Sequence, residues 1–212
     1  LRNLELRRER LRMFLSGLLK MAENIVHIKI PLERVGVLIG ASGEIKTAIE
    51  GKYGVKIEVE GKTGDVCITS VSRGSDPAAP FRARDTVMAI GRGFSPEKAF
   101  RLFNEENSLG VIDLRDIFGR ADSDISRVKA RIIGRKGKTR RLVEELSGAC
   151  LSVYGDTVAI IGDQSQFSVA DEAVERLIRG DQHKSVYEFL QRKRRELRLR
   201  EAELWQASDR SN

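Results

Sequence analysis

Hydrophobic and polar residues alternate along several short segments of the chain, and stretches of helical period lie between them. Residues Ile25 to Ile30 alternate as a half-buried strand does, and Pro31 then breaks the ladder. From Glu44 to Tyr53 the apolar residues form one helical stripe instead, and Gly54 supplies a stop. The pattern predicts the order strand, helix, helix, strand, strand, helix, at residues 25–30, 33–39, 44–53, 55–59, 66–69 and 77–90.

The same pattern recurs at an offset of 94 residues, the distance from Gly40 to Gly134. Gly43 then meets Gly137, and Glu50 meets Glu144. Further matches are Ile49 with Val143, Gly54 with Gly148, Ile57 with Leu151 and Val59 with Val153. Glycine and apolar positions match while surface positions differ, which indicates two copies of one fold.

The second copy predicts the same order of elements with a longer entry. Its strands are expected at residues 111–114, 150–153 and 157–161, its helices at 124–133, 138–147 and around 169–178, and an insertion at 115–123. Ser95 and Pro96 are typical of an N-cap and a first helical residue, so a short helix reaching Phe103 is expected between the copies.

The predicted boundaries are an extension at 1–23, a first domain at 24–92, a linker with a short helix at 93–109, a second domain at 110–180, and a basic C-terminal helix and tail at 181–212. For the extension, a native start at Met21 and an N-terminal helix both stay open. From His183 to Arg200 there are seven basic and two acidic residues, so a solvated helix and a helix that contacts phosphate are both open.

Composition narrows the classes of partner. The net charge of +7 favours an anionic partner, and nucleic acid is a commoner one than a membrane surface or an acidic protein. The two cysteines, Cys67 and Cys150, stand beside apolar residues and are expected to be buried fillers in a reducing compartment. No apolar run approaches the ~20 residues of a membrane span, so a cytoplasmic protein without membrane association is expected.

Two Gly-x-x-Gly segments, Ile39 to Gly43 and Ile133 to Gly137, each join the first two helices of a copy. With these segments in register, the chain resembles K-homology (KH) proteins of type I. The resemblance implies an α+β fold of two type I KH domains, each of order β-α-α-β-β-α with a three-stranded sheet packed on three helices, followed by the basic C-terminal helix.

The tandem arrangement, the stretch from Gly134 to Thr139 and the basic terminal helix resemble a narrower family over residues 24 to about 195. This is the archaeal counterpart of the eukaryotic KH factor that assists maturation of small-subunit ribosomal RNA. The resemblance implies single-stranded RNA near the 3′ end of that rRNA as the partner. It further implies cooperation with the rRNA-processing endonuclease and with a translation initiation factor subunit.

A KH loop binds nucleic acid because glycine lacks a Cβ and because the following helix presents free N–H groups and the positive end of its dipole to phosphate. The candidate RNA-binding residues are Arg131, Gly134, Arg135, Lys136, Gly137, Lys138, Arg140 and Arg141 in the second copy, and Gly40, Ala41, Ser42 and Gly43 in the first. The second loop has two cations between its glycines, whereas the first has none and is followed by Glu44. We therefore expect the second domain to contribute most of the affinity.

Enzyme classes find little support in the sequence. Gly137-Lys138-Thr139 ends like a P-loop, but Ile132 stands where that motif needs a glycine. The two histidines lie far apart, and neither a metal-ligand spacing nor a nucleophile motif appears, so no catalysis, metal or cofactor is expected. The alternative function is a protein-interaction scaffold in ribosome assembly or translation initiation, with RNA binding confined to the second KH domain or lost.

Overall fold

The computed structural model describes residues 25–71 and 76–209, with side chains up to residue 199. The predicted extension at 1–23 lies outside these residues. The chain divides into two compact units, and the second begins at Ala89.

The first unit follows the predicted order of elements. These are β1 (Ile25–Lys29), α1 (Leu32–Ile39), a 3-10 turn (Ala41–Gly43), α2 (Glu44–Tyr53), β2 (Val55–Val59), β3 (Asp65–Ser70) and α3 (Ala79–Gly91), whose last turn belongs to the second unit. The strands pair antiparallel in the order β1-β3-β2, so β2 is an edge strand.

The second unit repeats this order with additions at both ends. Its elements are α4 (Pro96–Ala99), a 3-10 turn (Phe100–Phe103), β4 (Ser108–Asp113), α5 (Leu114–Phe118), α6 (Asp122–Ile133), a 3-10 turn (Arg135–Gly137), α7 (Lys138–Ser147), β5 (Cys150–Tyr154), β6 (Thr157–Gly162), α8 (Gln164–Arg179) and α9 (His183–Asp209). The sheet order β4-β6-β5 reproduces that of the first unit. The predicted α+β class with two three-stranded sheets is confirmed.

Helix α9 is part of the core of the second unit. Its residues Val186, Phe189 and Leu190 are buried in the same cluster as Val158 and Ile160 of the sheet and the apolar faces of α6, α7 and α8. Full burial of such a side chain stabilises by about 1.5–3 kcal/mol. The first two turns of α9 are therefore held firmly on the domain.

The two sheets differ on the face turned away from the helices. In the first unit this face carries polar residues, including His27, Lys56 and Glu58, which are exposed. In the second unit the corresponding face of β6 carries Ala159 and Ile161, both fully buried. An apolar outer face needs a cover, and the chain between the two copies supplies it.

The cover is the segment from Arg92 to Phe103. Ser152 of β5 donates a hydrogen bond to the carbonyl oxygen of Arg92 at 2.8 Å. The Arg101 guanidinium reaches the Gly148 carbonyl at 3.1 Å, and the 3-10 turn that contains Arg101 contacts β6. The segment therefore packs along the second sheet and belongs to the second unit.

The structure adds a helix where the sequence indicated an insertion. Asp113 accepts a hydrogen bond from the backbone N–H of Arg115 at 2.8 Å and thereby caps α5, whose Leu114 is fully buried. Helix α6 then begins at Asp122, two residues before the predicted start. Five residues are too few to show a helical period, so Asp113 as a capping residue was the only sign of α5 in the sequence.

Candidate nucleic-acid interface

The two Gly-x-x-Gly loops have nearly the same backbone conformation. Gly40 and Gly134 have φ values of 75° and 71°, and Gly43 and Gly137 have 86° and 75°. Between them, Ser42 and Lys136 both have φ 54° and are the only non-glycine residues with positive φ in the part of the chain that the structure describes. The 94-residue repeat thus preserves the shape of the loop, while its charge differs.

The first and second glycines of each loop are needed for different reasons. A Cβ on Gly134 would lie 2.8 Å from the Cβ of Thr139, and one on Gly40 would lie 2.5 Å from the Cγ1 of Ile45, so these glycines let the following helix pack closely. A Cβ on Gly137 would meet no atom within 4 Å. The second glycine therefore faces open space, where a nucleic-acid backbone can approach.

Most of the predicted cations of the second copy surround this open glycine. Arg135, Lys136, Lys138 and Arg141 are all exposed. Arg141 donates from Nη2 to the Lys136 carbonyl at 2.8 Å, which supports the left-handed residue of the loop. The result is a cluster of exposed positive charge at the N-terminus of α7, where the helix dipole also favours an anion.

Arg131, another predicted site residue, has a structural partner. Its guanidinium donates to the Leu177 carbonyl at 3.2 Å and to the Asp181 carbonyl at 2.5 Å. Leu177 lies in the last turn of α8 and Asp181 lies just beyond its C-cap Gly180, where cations are favourable. Arg131 thus ties α6 to α8 and adds positive charge from behind the loop.

Arg140, by contrast, faces the edge strand β5. Glu144, one turn further along α7, accepts from the backbone N–H of Leu151 at 3.0 Å, so this side of α7 is turned toward β5. Among the described residues the Nε–H of Arg140 is buried and has no hydrogen-bond acceptor. A buried donor without a partner is costly to the folded state.

We call the space bounded by α6, α7 and the edge strand β5 the groove of the second copy; its counterpart in the first copy lies between α1, α2 and β2. Asp156, in the turn between β5 and β6, lies beside α6. Asp156 accepts from Arg115 Nε at 2.7 Å and lies 3.5 Å from the Lys129 ammonium. The hydrogen bond from Arg115 lowers the pKa of the Asp156 carboxyl below its usual value. Because Lys129 and Ile133 lie on the same side of α6, Ile133 at 36% exposure offers an apolar surface in this groove.

The sequence did not indicate Lys129, Ile133 or Lys46 of the first copy as candidate RNA-binding residues. At the 94-residue offset Lys46 stands opposite Arg140, and it lies 3.6 Å from the Glu50 carboxylate. Glu50 in turn accepts from the backbone N–H of Ile57 in β2 at 2.7 Å, as Glu144 does for Leu151. The repeat therefore marks a basic position in each groove, which comparison of the two copies could have identified.

In the first copy, Ala41 and Ser42 are exposed, as is Glu44 directly after the loop. No basic side chain stands between these glycines. The first loop therefore has the same backbone geometry as the second. Its nearest basic residue in the following helix is Lys46, which lies on α2 and not between the glycines.

The described part of the chain offers no support for a metal site, a membrane-spanning helix or a disulfide. Within it, no group of three or more His, Cys, Asp or Glu residues could hold a metal ion. No described helix is long and apolar enough to span a bilayer. Cys67 is half-buried, Cys150 is buried, and neither forms a disulfide.

Comparison with known proteins agrees with this geometry. Residues 25–89 match a family model described as KH domain, and residues 108–195 match one described as eukaryotic type KH-domain, KH-domain type I. The fold and its paired loops thus define a tandem type I KH protein.

Three relatives place the chain more narrowly. A KH domain-containing protein of Methanocaldococcus jannaschii is 47% identical over 183 residues, 86% of this chain and 80% of that protein. The structure of the a/eIF2alpha-aDim2p-rRNA complex from Pyrococcus horikoshii OT3 matches at 49% identity and a TM-score of 0.76, covering 82% of this chain and 96% of that chain. The pre-rRNA-processing protein pno1 of Schizosaccharomyces pombe is 25% identical over 134 residues, 63% of this chain and 56% of that protein. The chain belongs to the Dim2/Pno1 family of tandem KH-domain proteins.

Proposed function

We propose that this protein binds single-stranded RNA and assists maturation of small ribosomal subunit RNA near its 3′ end. The observation that carries the proposal is the second Gly-x-x-Gly loop, with its open Gly137 inside a cluster of exposed cations. The N–H groups of the first turn of α7 and the Arg135 and Lys136 side chains would hold phosphate. The bases would then lie in the groove between α6, α7 and β5, beside the exposed Ile133.

The particular RNA follows from the relatives. One structure similar to this chain holds rRNA beside aDim2p and a/eIF2alpha, and one relative is described as a pre-rRNA-processing protein. These descriptions support rRNA as the ligand and an initiation factor subunit as a partner of this chain. Cooperation with the rRNA-processing endonuclease rests on the family resemblance alone. A role without catalysis and a cytoplasmic location complete the proposal.

The first domain supports a second candidate function. Its loop offers Ala41 and Ser42 where the second has two cations, and the exposed Glu44 would repel phosphate. This favours a protein-interaction scaffold in which RNA binding is confined to the second domain. The two functions differ in salt dependence, because only phosphate contacts release counterions.

The test is binding of a labelled single-stranded RNA matching the 3′ end of the small-subunit rRNA, against a scrambled RNA, at two salt concentrations. We expect selective binding, with log K falling by about 0.7 for each phosphate contacted per unit of log salt. Equal affinity for both RNAs would leave a general RNA binder. No measurable binding would favour the scaffold.

A further inference from the structure

A second groove, of about 490 Å³, lies on the side of the Gly134–Gly137 loop that faces α9. Arg127, Arg135, Lys138 and Thr139 line it from α6, the loop and α7, and His183 and Tyr187 line it from α9. No acidic side chain is among its described lining residues. Cations beside aromatic rings are the side chains that hold single-stranded nucleic acid.

This groove is separate from the one between α6, α7 and β5. On α6, Lys129 and Ile133 lie on the side nearer the β5–β6 turn, whereas Arg127 and Arg131 lie on another side, nearer α9. Gly134 and Arg135 of the Gly-x-x-Gly loop line the groove on the α9 side, so this groove begins at the loop. A strand clamped at that loop could therefore continue from one groove into the other.

The two aromatic rings are held in place by hydrogen bonds to the KH fold. The Tyr187 hydroxyl lies 2.8 Å from Oγ1 of Thr139, and His183 Nε2 lies 3.0 Å from the Arg131 carbonyl oxygen. The ring centroids are 6.1 Å apart, and both side chains are half-buried. A ring fixed before binding loses little conformational entropy when a base stacks on it.

Two of the cations are available to a ligand. Arg135 and Lys138 are exposed, and both line the groove. Arg127 is paired with Asp124 at 2.9 Å, but both side chains are largely exposed, so the pair is weak and can exchange for a phosphate. The field in the groove is thus positive, and it is continuous with that of the loop.

We propose that this groove is an additional RNA subsite, which takes one nucleotide flanking those clamped by the KH fold. Its phosphate lies against Arg127 and Lys138, and its base lies against Tyr187 and His183. The inference rests on the proposed RNA binding and extends it to a surface that helix α9 adds to the domain.

The first test compares the RNA of the previous section with versions shortened by one nucleotide at a time from either end, using the full chain. Tyr187→Ala should weaken binding of the longer RNA at least about fivefold, the loss expected for one base–aromatic stack. It should leave the affinity of the RNA without the flanking nucleotide unchanged. Tyr187→Phe keeps the ring and removes only the hydroxyl, so its affinity should stay within about twofold.

A charge variant tests the phosphate contact without touching the core. Arg127→Ala should lower the salt slope of the longer RNA by about 0.7, the contribution of one single-strand phosphate. Lys184→Ala is the matched control, because Lys184 is exposed on α9 and is not among the groove residues. Equal slopes for the two variants would contradict the phosphate contact.

Cross-linking locates the nucleotide in the unmodified protein. RNA with 5-iodouridine at the flanking position should form an adduct on Tyr187 or His183, identified by mass spectrometry. Adducts only on the β5 side, together with unchanged binding by Tyr187→Ala, would overturn the subsite and leave the groove to a protein partner. If the unmodified chain binds none of the RNAs, the proposed function fails and the subsite fails with it.

Discussion

The unequal charge of two loops with the same backbone predicts how RNA affinity is divided between the domains. Arg135→Asp combined with Lys136→Asp should keep the fold, because Lys136 has φ 54° and aspartate tolerates this conformation. One cation about 4 Å from a phosphate contributes about 1 kcal/mol in water. Reversing both charges removes two attractions and adds two repulsions, about 4 kcal/mol or about a thousandfold in Kd.

The matched change in the first loop is Ala41→Asp with Ser42→Asp. It adds two repulsions without removing an attraction, so the expected loss is at most about 2 kcal/mol, or about thirtyfold. The reverse graft, Ala41→Arg with Ser42→Lys, should tighten binding if RNA reaches the first loop, since Ser42 already has the φ of Lys136.

Fluorescence anisotropy with the labelled RNA measures both double variants. The salt slope of the second-loop variant should also fall by about 1.4, for two lost phosphates. Equal losses in the two loops would refute the argument that the second domain supplies most of the affinity.

Three further changes separate stability from binding. Glu144→Ala should lower the free energy of unfolding by about 1–3 kcal/mol in urea titration, because it leaves an edge-strand N–H without its acceptor; a loss no larger than that of Glu144→Gln would contradict this. Gly134→Ala should lower the Tm markedly, because the added Cβ would clash with Thr139 of α7. Gly137→Ala should cost only about 1–2 kcal/mol of backbone strain but should still weaken RNA binding. If Gly137→Ala bound RNA as tightly as the wild type, phosphate would not approach at that residue. Because Arg115 lowers the pKa of Asp156, the stabilisation from this pair is present above about pH 4 and lost as the pH falls through the lowered value, so Asp156→Asn should flatten acid unfolding curves followed by circular dichroism.

The order of elements could be predicted because each depends on a local period or stop. Gly54 and Gly148 end helices α2 and α7 in the left-handed conformation, as their place in the repeat indicated. The repeat also showed that a glutamate stands at the same position in both copies, Glu50 and Glu144. The sequence did not show why a glutamate is needed there. Each carboxylate satisfies an outward N–H of an edge strand, and that strand is seven residues away in sequence.

The aromatic wall beside the second loop could not be predicted in the same way. Tyr187 and Thr139 are 48 residues apart, and nothing local in either segment indicates that their hydroxyls meet. The sequence does contain a weak sign that the second sheet is covered on its outer face. Val158 to Ile161 is an uninterrupted apolar run, which indicates a strand buried on both faces, whereas a KH sheet covered on one side would alternate.

The segment from Arg92 to Phe103 makes the two copies unequal as building blocks. A truncated second domain that begins at β4 would lose the cover over Ala159 and Ile161 and present an apolar sheet face to solvent. Such a fragment should self-associate, whereas one beginning at Ala89 should stay monomeric. The second copy therefore depends on chain that precedes its first strand, and a fragment of it used as a separate domain must include that segment.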